Sequence, residues 1–455
     1  MAGNKKGRQY HRPPAQKAIM QRPVRLSQCM IVKNEEKNIK KALSWAKGHA
    51  FEQIVVDTGS TDKTVEIAKR MGAKVYHFEW INDFSAAKNY AIEQAKGNWI
   101  AFLDADEYFS NEDAKKLMNY LLQIENDPKL GKMKTAITCP IVNLDDEGKP
   151  FLAVTQNRVF RNTPEIRYIG SIHEYLDLNE KTLSIADLTV IHTGYAQSVY
   201  DNTDKAERNV KLIREELSKN PESADLKSYL ADSLRAMGGE DNMAEAEVLF
   251  WDVLSSEQEM LPELKQRAYN HLIVTYYDNE EKNAENLAMC RRAYEEFPKN
   301  PDFCYFYGKK LHISGDFASA WEKLSECENL LKGDSVGLAG HIIKNPMLLF
   351  FQMVLAAEEL GNVEEVIRCA TLVLREDKYQ PLMLAPYIQA FNRSGYKAST
   401  DEILALLGKI YDLNNTKDKI TVMRGAKDAG NTELVGKALA LFTSDELSWL
   451  AADFV

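Results

Sequence analysis

No run of about 18 consecutive apolar residues occurs anywhere in the 455-residue chain, so the sequence predicts no membrane-spanning helix. Paired cysteines are absent too. The six cysteines, Cys29, Cys139, Cys290, Cys304, Cys327 and Cys369, form no C-x-x-C, and several fall on apolar helical faces. That usage predicts buried thiols acting as small hydrophobes in a reduced, cytoplasmic protein. An excess of positive charge is missing: 57 basic against 67 acidic residues leave a net of −10, which argues against general nucleic-acid binding. The exception is residues 1–24, where Lys5, Lys6, Arg8, Arg12, Lys17 and Arg22 meet no acid and Pro13, Pro14 and Pro23 discourage regular structure. This stretch reads as a flexible basic tail, a tag, linker or anionic contact, and it lacks the continuous apolar segment of a signal peptide.

The most informative stretch that is present is Phe102-Leu103-Asp104-Ala105-Asp106-Glu107. An apolar strand from Trp99 to Leu103 runs into three carboxylates. In an extended backbone, residues two apart share a side, so Asp104 and Asp106 are expected to converge on one point. Two hard oxygen ligands there suit Mg²⁺ or Mn²⁺ sharing its coordination with a phosphate. The competing reading is a solvated acidic turn that closes a strand.

The first half alternates strand and helix. Leu26–Val32, Gln53–Val56, Lys74–Phe78 and Trp99–Leu103 read as strands. Residues 37–47, a segment capped by Ser60 or Thr61 and ending at Met71, and residues 84–96 read as helices, stopped by Gly48, Gly72 and Gly97. Such alternation predicts a parallel, doubly wound sheet whose ligand lies beyond the carboxyl ends of the strands. Lys33, Asn34 and Glu35 follow strand one, Asp57 follows strand two, and Asp104 and Asp106 follow strand four, all at that rim. Singly, Asp57 could cap its turn and Asn34 and Glu35 could open a helix; together they look like a nucleotide site.

Cys29-Met30-Ile31-Val32-Lys33-Asn34-Glu35-Glu36, then Val55 to Asp62, Asn82 to Ala91 and Phe102 to Glu107, resemble in order the family 2 glycosyltransferases of GT-A fold, over roughly residues 25–200. The resemblance implies that Val32, Asn34 and Glu35 line the nucleotide pocket, that Asp57 contacts the base, and that Lys88 lies near ribose and diphosphate. It implies that Asp106 binds the metal and Asp104 contacts ribose or a metal-bound water. Further on, Arg158-Val159-Phe160-Arg161, Gly170-Ser171-Ile172-His173-Glu174 and Ile191-His192-Thr193-Gly194-Tyr195 stand out. By the same resemblance Glu174 matches the acceptor's general base, with Asp187 as a rival. His173 would orient it or contact the diphosphate, and His192 would complete the metal site or be a hydrogen-bonded core histidine. The absence of glycine from Cys29 to Glu36 speaks against a nucleotidyltransferase, which usually opens with a glycine-rich phosphate loop.

From about residue 201 helical spacing dominates. Pro301, Gly308, Gly315, Ala320 and Leu324 fall at tetratricopeptide offsets, and the preceding unit, Arg267 to Asn300, sets the period of about 34 residues. That unit departs at Val274 and Asn286. Residues 224–256, interrupted at Gly238-Gly239, and residues 347–380 read as looser copies. The expectation is an α/β GT-A domain over 25–200, with a Rossmann-like, mostly parallel sheet, followed over 201–455 by an all-α tetratricopeptide-like solenoid. The alternative for the second half is an ordinary helical bundle.

Together these readings predict a metal-dependent (Mn²⁺ or Mg²⁺), inverting transferase that moves a sugar from a UDP-sugar to a protein or peptide acceptor. The repeats would hold the acceptor or make a homodimer. The alternatives are a transferase for a cell-surface glycan or lipid-linked saccharide, and a helical scaffold whose GT-A domain has lost activity.

Overall fold

The computed structural model describes residues 22–145, 147–178, 182–185, 187–193, 203–333, 340–393 and 398–447. Most of the basic tail, and Gly194-Tyr195, lie outside them. The chain divides into two compact units, Met1–Asp201 and Asn202–Val455.

The first unit runs β1 (Leu26–Val32), α1 (Ile39–Ser44), β2 (Glu52–Asp57), α2 (Thr64–Arg70), β3 (Lys74–His77), α3 (Phe84–Glu93), β4 (Trp99–Phe102), β5 (Glu107–Phe109) and α4 (Asn111–Asn126). It continues with β6 (Ala136–Leu144), β7 (Pro150–Arg161), β8 (Tyr168–Ile169), β9 (Tyr175–Leu176), β10 (Leu183–Ser184) and β11 (Val190–His192). The main sheet has the order β3-β2-β1-β4-β7-β6-β11-β5, with β10 beside β6; β8 and β9 form a separate hairpin. The first four strands are mutually parallel, as the alternating pattern requires. Beyond β4 the sheet becomes mixed: β7 is antiparallel to β4 and β6, and β5 to β11.

Alternation along β1 and β4 explains why both faces are covered. Cys29, Ile100 and Phe102 pack with Ala91 and Ile92 of α3 on one face. Met30 and Val32 pack with Ile39, Leu43 and Ala68 of α1 and α2 on the other. Trp99, Ala101 and Leu103 pack with Ala114, Leu117 and Leu121 of α4. Successive side chains of a strand point to opposite faces, so continuous apolar strands need helices on both sides.

Several local expectations are corrected. α2 starts at Thr64 with neither Ser60 nor Thr61 as its cap; Asp62 accepts from the Thr64 N–H instead (2.9 Å). α3 ends at Glu93, short of Gly97, and is capped by Asp83, which accepts from the Ala86 N–H. Gly97 serves packing: a Cβ there would strike the Arg25 carbonyl and the Ser27 backbone.

In the second unit helices follow one another in pairs, including Ala224–Met237 with Glu240–Ser255, Pro301–Ile313 with Phe317–Lys332, and Met347–Glu359 with Val363–Glu376. Gly308 sits 3.0 Å, measured from where its Cβ would be, from Leu324 and 3.3 Å from the Ala320 carbonyl. The small residues at the expected offsets are thus where two helices touch. Gly238 and Gly239, expected as an insertion, form the whole turn between their helices, both at positive φ (70° and 86°). The departures have physical reasons. Val274 is 55% exposed, so its side chain has room on the surface, while Asn286 is fully buried and donates to the Ile273 carbonyl (3.1 Å). All six cysteines are buried and free, and burial pushes Cys290, Cys304 and Cys369 up to about 12.

Candidate functional site

The loops after β1 and β2 are laced together at the carboxyl end of the sheet. Asn34 takes a left-handed backbone (φ 58°), which asparagine tolerates. Its N–H donates to Ser60 Oγ (2.9 Å), and its side-chain oxygen accepts from the Thr61 N–H (2.8 Å). The Glu35 N–H donates to Thr64 Oγ1 (2.7 Å). The Val32 carbonyl accepts from the Thr58 N–H (2.9 Å). Asp57, 5% exposed, accepts from the Ser60 N–H (3.0 Å) and lies 3.2 Å from His77 Nδ1. The capping contact foreseen for Asp57 is therefore present, and it stands at the rim together with Val32, Asn34 and Glu35.

The acidic turn after β4 is built differently from the extended pair expected. Residues 104–106 form a turn, closed by the Glu107 N–H donating to the Asp104 carbonyl (3.0 Å). The two-residue alternation of a strand does not apply to a turn, and the two aspartates take different partners. Asp104 lies 3.5 Å from Lys88 Nζ and 3.0 Å from an Arg158 guanidinium nitrogen. Asp106 lies 3.2 Å from His192 Nε2.

Arg158 is the residue whose importance the sequence motif did not reveal. It is 8% exposed on β7, and the same nitrogen that meets Asp104 sits 2.5 Å from Glu107. Glu107, 2% exposed, also accepts from the Asp104 N–H (3.0 Å), so it braces the turn from below. Burial opposes ionisation of Asp104, but Lys88 and Arg158 outweigh it and hold its carboxyl well below the usual range. Burial raises the Glu107 carboxyl, against the pull of Arg158. Burial also raises Glu35, and the charges of Asp106 and Asp104 add to that shift, so the three carboxylates share one negative field.

Lys88 is held on α3 and is 4% exposed. Its Nζ lies 2.6 Å from Glu174, whose side chain is 14% exposed, and 4.9 Å and 5.3 Å from the ring centroids of Tyr168 and Phe102. α3 and the β8–β9 hairpin are clasped by backbone-directed bonds: Phe84 N–H to the Ser171 carbonyl (2.9 Å), Ser85 Oγ to the Gly170 carbonyl (2.5 Å), and Asn89 Nδ2 to the Tyr168 carbonyl (2.8 Å). Glu174 and Lys88 therefore meet because the hairpin is docked on the helix. His173 sits in this tight loop at φ 53°. Asp187, the rival base, accepts from Tyr120 Oη (2.8 Å) on α4.

His192 is fixed from behind by Asn143, whose side-chain oxygen lies 2.5 Å from Nδ1. That contact turns Nε2 toward Asp106, as outer partners do for metal-binding histidines. Burial lowers the His192 pKa, but hydrogen bonding to Asp106 and its charge win and raise it. Among the described residues no three His, Cys, Asp or Glu side chains gather as a metal cluster. One carboxylate and one imidazole facing each other still fit a cation such as Mn²⁺, if substrate phosphate and water supply its remaining ligands. No sequence signal singled out Asn143 or Tyr168; tertiary contact alone brings them here.

Residues 27–132 match the family model for glycosyl transferase family 2. A TPR repeat-containing protein of Synechococcus elongatus is 33% identical over 219 residues, which is 46% of this chain and 52% of that protein. The SPbeta prophage-derived glycosyltransferase SunS of Bacillus subtilis is 34% identical over 199 residues, 43% of this chain and 45% of its own. The chain thus spans about half the length of these curated relatives. A solved structure of S. aureus TarS 1-349 in complex with UDP-GlcNAc aligns with a TM-score of 0.33 at 16% identity, covering 60% of this chain and 91% of that one. The architecture is the expected GT-A-like α/β sheet followed by a helical array. The family match spans the strands that present Asp57, Asp104 and Asp106, and the N-terminal unit of this chain carries a glycosyl transferase family 2 domain.

Proposed function

We propose that the protein transfers a sugar from a UDP-sugar to a protein or peptide acceptor by a single, inverting displacement. The observation that carries the reading is the juxtaposition, in a family 2 domain, of Asp106 with His192 and of Asp104 with Lys88 and Glu174 at the carboxyl ends of the parallel strands. Val32, Asn34, Glu35 and Asp57 would receive the nucleoside, with Asp57 accepting from a base N–H. Asp106 and His192 would hold a divalent cation, which when bound neutralises charge on the leaving diphosphate. Lys88 adds a buried positive charge on the same side, and Asp104 orients ribose or water.

Glu174 would take the proton of the acceptor nucleophile as it attacks the anomeric carbon. Such general-base assistance is typically worth about 10²–10⁴-fold. His173, adjacent in the strained loop, would orient Glu174 or contact the diphosphate. The helical unit supports a protein or peptide acceptor, because repeat arrays present extended surfaces that bind chain segments.

The test is incubation of the purified protein with Mn²⁺ and a panel of nucleotide sugars, with release of free nucleoside diphosphate as the readout. Release from one donor, lost with EDTA and in Asp106→Ala, is expected. If UDP and GDP also fail to bind with metal present, the transferase reading falls and the scaffold reading takes its place.

A further inference from the structure

The carboxylate best placed to act as base is already occupied. Glu174 Oε1 lies 2.6 Å from Lys88 Nζ, and both side chains are largely removed from solvent. A carboxylate oxygen that accepts an ammonium proton has a lone pair committed, so an acceptor hydroxyl or thiol must compete with a full positive charge for it. Lys88 thus holds one of the positions on Glu174 that an acceptor proton would take.

The other surroundings of Lys88 are looser. Asp104 is 3.5 Å away and is itself shared with Arg158. The rings of Tyr168 and Phe102, at 4.9 Å and 5.3 Å, attract a cation without prescribing a direction. A lysine ammonium on a flexible four-carbon stem can change partners where a guanidinium fork, once bidentate, is fixed. Glu174 sits in a hairpin clasped to α3 by three hydrogen bonds, so within this pair the lysine head is the mobile partner.

We infer that Lys88 exchanges partners: it holds Glu174 before the donor binds, moves to the donor's diphosphate when it binds, and so frees the carboxylate as a base only in a loaded site. This rests on the reading of Glu174 and the nucleotide site given above, and adds an order to it. The diphosphate offers more negative charge and more acceptor oxygens than one carboxylate, and it brings the replacement partner that a buried ammonium requires. In the reaction itself Lys88 stays protonated. The acceptor's O–H or S–H proton passes to Glu174, the acceptor atom bonds to the anomeric carbon, and the carbon–oxygen bond to the diphosphate breaks, its electron pair leaving with the nucleoside diphosphate. An acceptor arriving first finds Glu174 still paired with Lys88.

The experiment is calorimetric titration of UDP, with Mn²⁺ present, into the wild-type full chain and into Glu174→Gln. The amide is isosteric and removes the charge that competes for Lys88. Exchange predicts that Glu174→Gln binds UDP about tenfold more tightly, since binding no longer has to break the ion pair. Glu174→Asp, which keeps the charge but withdraws it by one methylene, is expected to shift the same way and serves if the amide variant does not fold. Equal or weaker binding by these variants, with UDP bound by the wild type, would overturn the exchange and leave the nucleotide site standing. Failure of the wild type to bind any nucleoside diphosphate would overturn both.

Discussion

His192 Nε2 lies 3.2 Å from the Asp106 carboxylate. The contact follows from strand register: in β11, His192 is paired with Glu107 on one side and with Asn143 on the other. The imidazole is therefore caught between the acidic turn and Asn143, whose oxygen faces Nδ1.

Asn143→Ala should weaken metal without removing a ligand. Outer partners of metal-binding histidines typically contribute about 10–100-fold in affinity. The Mn²⁺ concentration that half-saturates UDP binding is expected to rise within that range. An unchanged value would show that His192 does not contact the cation.

Arg158→Met tests the brace under the acidic turn. It strands Glu107, which is 2% exposed, without its cation. Leaving one member of a buried pair costs about 3–5 kcal/mol. Urea denaturation should show a loss of that size, and a loss below about 1 kcal/mol would mean that Glu107 is readily neutralised or hydrated.

Tyr168 makes the opposite prediction. Its hydroxyl is buried and has no hydrogen-bond partner among the described residues, and burial pushes its phenol up to about 12. A buried unsatisfied polar group costs about 1–3 kcal/mol, so Tyr168→Phe is expected to leave the nucleotide-free protein equally stable or to stabilise it by about 1 kcal/mol. A clear loss in thermal or urea unfolding would reveal a bound water at that hydroxyl.

Gly308→Val probes the helical unit. A side chain there meets Leu324 at 3.0 Å and the Ala320 carbonyl at 3.3 Å. Overpacking of this kind costs about 1–3 kcal/mol. The expected signature is a lower midpoint for the helical transition by circular dichroism, with UDP binding by the first unit retained.

Glu446 supplies a pH dependence. Hydrogen bonds from Thr416, Lys419 and the Thr443 N–H lower its pKa to about 2. Because the folded value lies below the unfolded one of about 4.3, its contribution is fully present above pH ~4.3 and is lost as pH falls toward 2. Glu446→Gln should melt lower than wild type at pH 7, with the gap closing across that acid window. A gap independent of pH would mean that the carboxylate charge contributes nothing.

The pattern of strands and helices was legible because it is local. Apolar runs of strand length, glycines after helices and turn residues at fixed offsets each act on a few neighbouring residues. Placement of Val32, Asn34, Glu35, Asp57, Asp104 and Asp106 at one rim followed from that pattern, since parallel strands share a carboxyl end. The helix pairs were legible from Gly308 and Ala320, because only small residues let two backbones approach there.

What the sequence by itself determined is therefore the order of elements and the rim on which the polar residues stand. Tertiary structure alone decided which side chains meet. Asp104 and Asp106 were expected side by side, but a turn sends one to Lys88 and Arg158 and the other to His192. Asn143, Arg158 and Tyr168 come from β6, β7 and β8 respectively, beyond the simple alternation, and reach the site through antiparallel pairing and a docked hairpin. The physical reason is range: propensity and capping act between neighbours in sequence, whereas an ion pair such as Lys88 with Glu174 exists only when packing brings distant segments within hydrogen-bond distance.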